Sequence, residues 1–269
     1  MRDIRQDYRY AKYISQINWQ IEKIDGVCCF VKKIPILGYV VKIQRPEKVT
    51  AKIINFLLEK YKPFRFIIEP KSEYQVESIK YLGFKQSHSP FIPSATLEID
   101  LTQSKENIFS NFKKDTRYSI RKSEKVKIKS VNDIKVFREN WKKAVGLKRY
   151  ITPLSQLEIM KKEFGKNCIF LMTENGSAGG LFLGTDEIAY YWAGFVSKHG
   201  RAELAQYQII WNAIFWAKKN KNKIFDFEGI YDERFPQKSW KGFTHFKKSF
   251  GGTIKQYPGA YVKKRFGII

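Results

Sequence analysis

The chain has 269 residues, 43% hydrophobic and 16% aromatic, enough apolar surface for one large domain or two small ones, which excludes wholesale disorder. Lys and Arg number 50 against 26 Asp and Glu, a formal charge of +24. That excess predicts a polyanionic partner, whether nucleic acid, phosphorylated substrate or anionic membrane surface.

In chain order, Ile21 to Ile43 reads as strands, with apolar runs Val27–Val31 and Tyr39–Val41 joined across Pro35 and Gly38. Val49 to Tyr61 predicts a helix, Phe64 to Ile68 a buried strand ended by Pro70, and Tyr74 to Leu82 a helix stopped by Gly83. Ala95 to Leu101 alternates as a strand. Lys105 to Lys122 predicts one helix, followed by a strand near Val126–Ser130 and helices over Val131–Leu147 and Pro153–Phe164. Cys168–Met172, Gly179–Leu183 and Ile188–Phe195 suggest an antiparallel meander, Ala202 to Lys219 a long helix, and Phe225–Phe227 a buried strand. Strands and helices thus mix in the same way in both halves. The expected class is α+β, as two related units dividing near residue 102.

Several chemistries are disfavoured. Three cysteines (Cys28, Cys29, Cys168) give no disulfide framework and point to a reducing compartment. Three separated histidines without CxxC, HExxH or DxDxDG spacing argue against a metal site. MRDIRQDYRY has no apolar core behind its charges, unlike a secretory signal. No stretch reaches the ~18 apolar residues of a spanning helix. The expectation is a soluble chain with at most peripheral membrane contact.

Two basic regions stand out. Lys113, Arg117, Arg121 and Lys125 are spaced four apart, one stripe on a helix, flanked by Lys114 and Lys122. Like charges at this spacing oppose a helix unless an anion lies on them. A solvated cationic face is the bland alternative. From Lys105 to Arg149 there are 15 basic and 5 acidic residues, which favours phosphate binding. From Lys241 to the end come seven basic residues, Lys247 and Lys248 among them, and no Asp or Glu, interleaved with aromatics from Phe243 to Phe266. That mixture suits RNA ends or sugar-phosphates, or a core strand pair with charged outer faces.

The run from Asn111 to Ile128, NFKKDTRYSIRKSEKVKI, resembles a segment of the Fem-type (FemABX) aminoacyltransferases. Upstream, Ile67-Ile-Glu-Pro70, Leu82-Gly-Phe84 and Ser94–Leu101 follow in that family's order. Downstream come Tyr190-Tyr-Trp-Ala-Gly194, Trp211–Lys218, Phe225-Asp-Phe-Glu-Gly-Ile230 and Phe246-Lys-Lys-Ser-Phe-Gly-Gly252. Each piece is weak alone; the ordered set, over roughly residues 19 to 262, is specific.

The resemblance implies two GNAT-like units, 1–102 and 103–256, with the first completed by 257–269. It implies transfer of an amino acid from aminoacyl-tRNA to the stem-peptide amine of a UDP-linked or lipid-linked muramyl pentapeptide, in the cytoplasm near the inner membrane face. The aminoacyl ester is already activated, so no cofactor is implied. Lys247 takes the family's place at the reacting centre, for the oxyanion or the tRNA end. Glu69 stands where the family commonly has Asp before Pro, as a candidate to orient or deprotonate the amine. Lys148 and Arg149, with Lys23, are candidates for the precursor's phosphates. Tyr191 and Trp192 are candidates for the peptide channel, or for core. Lys113, Arg117, Arg121, Lys125 and Lys248 are candidates for tRNA phosphates. Asp226 and Glu228 read as structural. The short chain leaves no room for the family's helical-hairpin insertion. Two alternatives stay open: an acyl-CoA-dependent N-acyltransferase, whose Gly-rich pyrophosphate loop is poorly matched by Ser197-Lys-His-Gly-Arg-Ala-Glu-Leu204, and a non-catalytic RNA- or anion-binding module.

Overall fold

The computed structural model describes residues 1–146 and 149–265. The chain forms two compact units, the first from residues 2–95, 231–238 and 255 onward, the second from 96–230 and 239–254, with Met1.

The first unit opens with α1 (Tyr8–Gln16), a helix that no apolar pattern announces. Asp7 caps it, accepting from the Arg9 backbone N–H, and bridges Arg9 Nε at 2.9 Å with both side chains buried. Just before it, the Gln6 amide donates to the carbonyls of Cys28 and Gln44 and accepts from the Cys28 N–H. Polar residues are buried here because each is paired. β1 (Gln20–Ile24), β2 (Val27–Ile34) and β3 (Gly38–Gln44) follow as an antiparallel meander. α2 (Ala51–Tyr61), capped by Thr50, packs Ile53, Ile54 and Leu57 into a core with Cys29, Val31, Val41, Ile43, Phe66 and Ile68. β4 (Arg65–Glu69) runs parallel to β3, and α3 (Val76–Tyr81) leads to the short β5 (Lys85–Gln86).

The second unit starts on β6 (Ala95–Asp100). The single helix expected over 105–122 is two, α4 (Lys105–Ser110) and α5 (Lys114–Lys122). Phe112 causes the break. It is 1% exposed, set edge-on to Trp211 and Phe250, and the Lys113 N–H then donates to Ser249 O at 2.9 Å. Lys113 is therefore the cap of α5 and Lys125 lies beyond its end, so the four-residue stripe does not exist as one helical face.

β7 (Ile128–Ser130), α6 (Ile134–Val145) and α7 (Leu154–Phe164) precede β8 (Cys168–Thr173), β9 (Ala178–Gly184) and β10 (Ile188–Val196), which form the expected antiparallel meander. The next helix is also divided: α8 (Lys198–Ala202), then α9 (Ala205–Lys219), separated by Leu204 at φ +57°. β11 (Ile224–Asp226) pairs parallel with β10 and antiparallel with β6. The basic tail opens as a helix, α10 (Lys241–Lys248), not as a strand pair, and continues into β12 (Thr253–Gln256) and β13 (Tyr261–Lys264).

The sheets order as β1-β2-β3-β4-β13-β5 and β12-β6-β11-β10-β9-β8-β7. After α10 the backbone passes so close to its neighbours that a Cβ on Gly251 or Gly252 would sit 2.5 Å from the Asn111 or Glu98 carbonyl oxygen; both glycines have positive φ. Among the described residues no helix is long and apolar enough to cross a membrane.

Candidate active site

In the second unit, the end of β11 and the helix α10 converge on one ammonium. Lys247 is 9% exposed, and its Nζ donates to the carbonyls of Phe227 and Gly229, each at 2.7 Å. It lies 4.9 Å from the Phe243 ring centre and 5.6 Å from that of Tyr191. Burial lowers its pKa to about 8, while the Glu228 and Asp226 carboxylates work in the other direction. An ammonium has three donors, and these two carbonyls take two of them.

The loop that supplies the carbonyls is held from behind. Asp226 is 4% exposed and accepts from Thr96 Oγ1 on β6 and, at 2.6 Å, from the Glu228 N–H. Glu228 adopts a left-handed backbone at φ +55°. Burial first, and then the Glu228 charge, push the Asp226 carboxyl up to about 8. Asp226 and Glu228 thus form the electrostatic surroundings of Lys247, a role beyond the plain structural one read from the sequence.

Tyr191 forms another wall. Its Oη accepts from Gln206 Nε2 at 2.7 Å, and burial pushes the phenol above its ordinary range. β10 carries a bulge between Tyr191 and Ala193, which re-aims the side chains there. Gly194 makes room for the phenol: a Cβ there would lie 2.1 Å from Tyr191 Oη. Trp192 sits in the bulge, half-buried.

The other expected residues are placed as follows. Glu69, in the first unit, is 1% exposed. Its carboxylate accepts from Gln44 Nε2 at 2.7 Å and from the backbone N–H groups of Phe91 and Ile92 at 2.8 Å. That geometry fixes a loop and leaves one of the carboxylate's four lone-pair sites without a donor in these bonds. Lys23 is exposed on β1 of the same unit. Arg149 is exposed on the segment before α7, and Lys148 lies outside the described residues. Arg117 is half-buried and engaged: its guanidinium donates to the carbonyls of Ser110 (2.9 Å) and Phe112, closing the break between α4 and α5. Arg121 lies over the Phe109 ring at 5.4 Å, beside a cleft of about 460 Å³ that Trp211 and Phe215 also line. Lys113, Lys125 and Lys248 are exposed.

Of the residues grouped here, sequence reasoning singles out Lys247 and Tyr191 but not Thr96 or Gln206. Thr96 reaches Asp226 across 130 positions, and no local pattern signals that bond.

Residues 155–265 match the FemAB family model. No curated protein matches the chain by sequence. Among solved structures, the crystal structure of FemX is similar over 97% of this chain and 92% of that one, at 15% identity and a TM-score of 0.80. The C-terminal domain of a putative lysylphosphatidylglycerol synthetase from Agrobacterium fabrum is similar at 13% identity and a TM-score of 0.66, over 98% of this chain and 89% of that one. A tandem GNAT protein from the clavulanic acid biosynthesis pathway is similar at 8% identity and a TM-score of 0.50, covering 90% and 84%. The family model matches residues 155–265, less than half of the chain, and the fold is similar to that of FemX: α+β, built of two GNAT-like units.

Proposed function

We propose that the chain is an aminoacyltransferase that moves an amino acid from aminoacyl-tRNA to the stem-peptide amine of a peptidoglycan precursor. Lys247 carries the reading: a buried ammonium, fixed by two carbonyls, keeps a third proton among aromatic rings. The family match over 155–265, which contains it, supports the same class of reaction.

The neutral amine attacks the ester carbonyl of the aminoacyl-tRNA, and negative charge develops on the carbonyl oxygen. Lys247 donates its remaining hydrogen bond to that oxygen, in surroundings where the bond is worth more than in water. Collapse forms the amide C–N bond and breaks the ester C–O bond. The proton lost by the attacking nitrogen balances the one taken up by the ribose hydroxyl. Because the Glu228 carboxylate opposes the burial that lowers the Lys247 pKa, it helps to keep the ammonium charged up to about pH 8. Tyr191 and Trp192 flank the acyl group, and Lys148 and Arg149 meet the precursor's phosphates, with Lys23 a separate phosphate contact of the first unit. Lys113, Arg121, Lys125 and Lys248 meet tRNA phosphates, with Arg117 left as a helix tie. At the place where an acyl-CoA transferase would open a glycine loop, Ser197 instead caps the helix α8.

The test supplies purified protein with total bacterial tRNA charged with labelled amino acids and with UDP-linked or lipid-linked muramyl pentapeptide. Label entering the pentapeptide only with intact tRNA, and lost after RNase, is the expected result. Transfer from acetyl-CoA with none from charged tRNA would overturn it.

A further inference from the structure

The turn between β2 and β3 spends apolar surface on solvent. Ile36 is 106% exposed and Leu37 is 54% exposed, the two residues at the tip of the turn. Ile36 also holds φ at +68°, a left-handed backbone that a β-branched residue rarely adopts. The Leu37 N–H donates to Pro35 O at 2.8 Å, which fixes the tip in a three-residue turn. Glycine at position 36 would relieve the backbone and remove the exposed chain, so neither packing nor turn chemistry accounts for isoleucine here. Strained backbone of this kind concentrates where it serves a function.

The register places a cationic collar behind the tip. Lys32 and Lys33 close β2, opposite Val40 and Tyr39. β4 runs parallel to β3 and therefore begins at the same end, with Arg65 beside Val40. β13 runs antiparallel to β4 and ends there, with Lys264 beside Arg65. Arg265 follows, and Lys62 stands exposed at the C-cap of α2. Trp19, just before β1, lies under Lys32 at 5.5 Å and Lys42 at 4.9 Å. The carboxylate of Glu22 on β1 is already bonded to Lys60 (3.0 Å) and the Tyr61 hydroxyl.

We propose that this end of the first unit docks on an anionic lipid bilayer, with Ile36 and Leu37 entering the acyl boundary and the collar meeting lipid phosphates. An apolar tip ringed by cations, with a tryptophan at the rim, complements that surface in both hydrophobicity and charge. RNA would satisfy the collar but leave Ile36 in water.

The full chain is sedimented with vesicles of phosphatidylglycerol and phosphatidylcholine in equal parts, and with phosphatidylcholine alone. Binding to the mixed vesicles only, weakened by salt, is expected. Ile36→Glu should bind about tenfold more weakly. Ile36→Gly should lose as much binding while melting no lower than the parent, which separates docking from folding. Lys32→Glu with Lys33→Glu should lose tenfold or more. Equal binding by the parent and both Ile36 variants would overturn the proposal. So would an Ile36→Glu variant whose only change is loss of self-association, which would make a second copy the occupant. No substrate is present, so failure here leaves the transfer reading standing.

Discussion

Two buried carboxylates end strands that run parallel to a neighbour, Glu69 on β4 and Asp226 on β11, and they are used in opposite ways. Glu69 is hydrogen-bonded by neutral donors, one amide and two backbone N–H groups on its two oxygens, with the Lys42 and Arg45 charges further off. Asp226 has the Glu228 charge beside it and an ammonium nearby, and its carboxyl is pushed up to about 8. A carboxylate among fixed neutral donors is a strut. Two carboxyl groups beside one buried lysine couple to its charge, and there the protonation of both Lys247 and Asp226 changes near pH 8.

Substitutions can break this contrast. Glu69→Ala strands three donors and should destabilise the chain by roughly 3 kcal/mol, seen as a lower urea midpoint. Glu69→Gln keeps an acceptor for the backbone groups, so it should fold and transfer nearly as the parent does. A folded Glu69→Gln variant slowed by about 100-fold would instead restore Glu69 as the base. Gly194→Ala drives a methyl into the Tyr191 hydroxyl, and a shift of about 1 Å in the wall beside Lys247 should lower transfer by about 10²-fold with little loss of tRNA binding.

A pH series sharpens the same contrast. Transfer should fall as pH rises through about 8, where Lys247 gives up its proton. Glu228→Gln removes the carboxylate that does most to hold that proton, so the falling limb should move to lower pH. Stability runs the other way. Lys247 binds its proton less tightly in the folded chain than in the unfolded one, so its contribution to stability rises between about pH 8 and its ordinary range. The smallest effect belongs to Arg117→Met, which loses the carbonyl bonds at the α4–α5 break. A loss of about 1 kcal/mol with tRNA affinity unchanged would mark Arg117 as a helix tie.

Much of the fold was legible because it rests on local periodicity. The alternation in β6, the apolar stripe of α2 and the meander β8–β10 all follow from spacing. What escaped rests on distant partners. Lys105 to Lys122 reads as one helix until Phe112 is seen packed on Phe250, 138 positions away. α1 escaped because Arg9 and Gln6 are buried through pairing, which inverts the usual polar-out signal. In α10, the interleaved basic and aromatic residues also suit a strand pair, although the segment is a helix that carries Lys247 inward. The site itself was half legible. The ordered motifs located Lys247, but its carbonyl cradle, the Thr96–Asp226 bond and the Tyr191–Gln206 pair are tertiary contacts.

The most direct measurement compares Lys247→Met with the parent in two assays at once, tRNA-dependent transfer and binding of the same charged tRNA. The third ammonium proton is assigned to the transition state, so transfer should fall by about 10²–10³-fold while affinity changes by less than about tenfold. Transfer and affinity falling together would make Lys247 a phosphate contact, and undiminished transfer by a folded Lys247→Met chain would contradict the account outright.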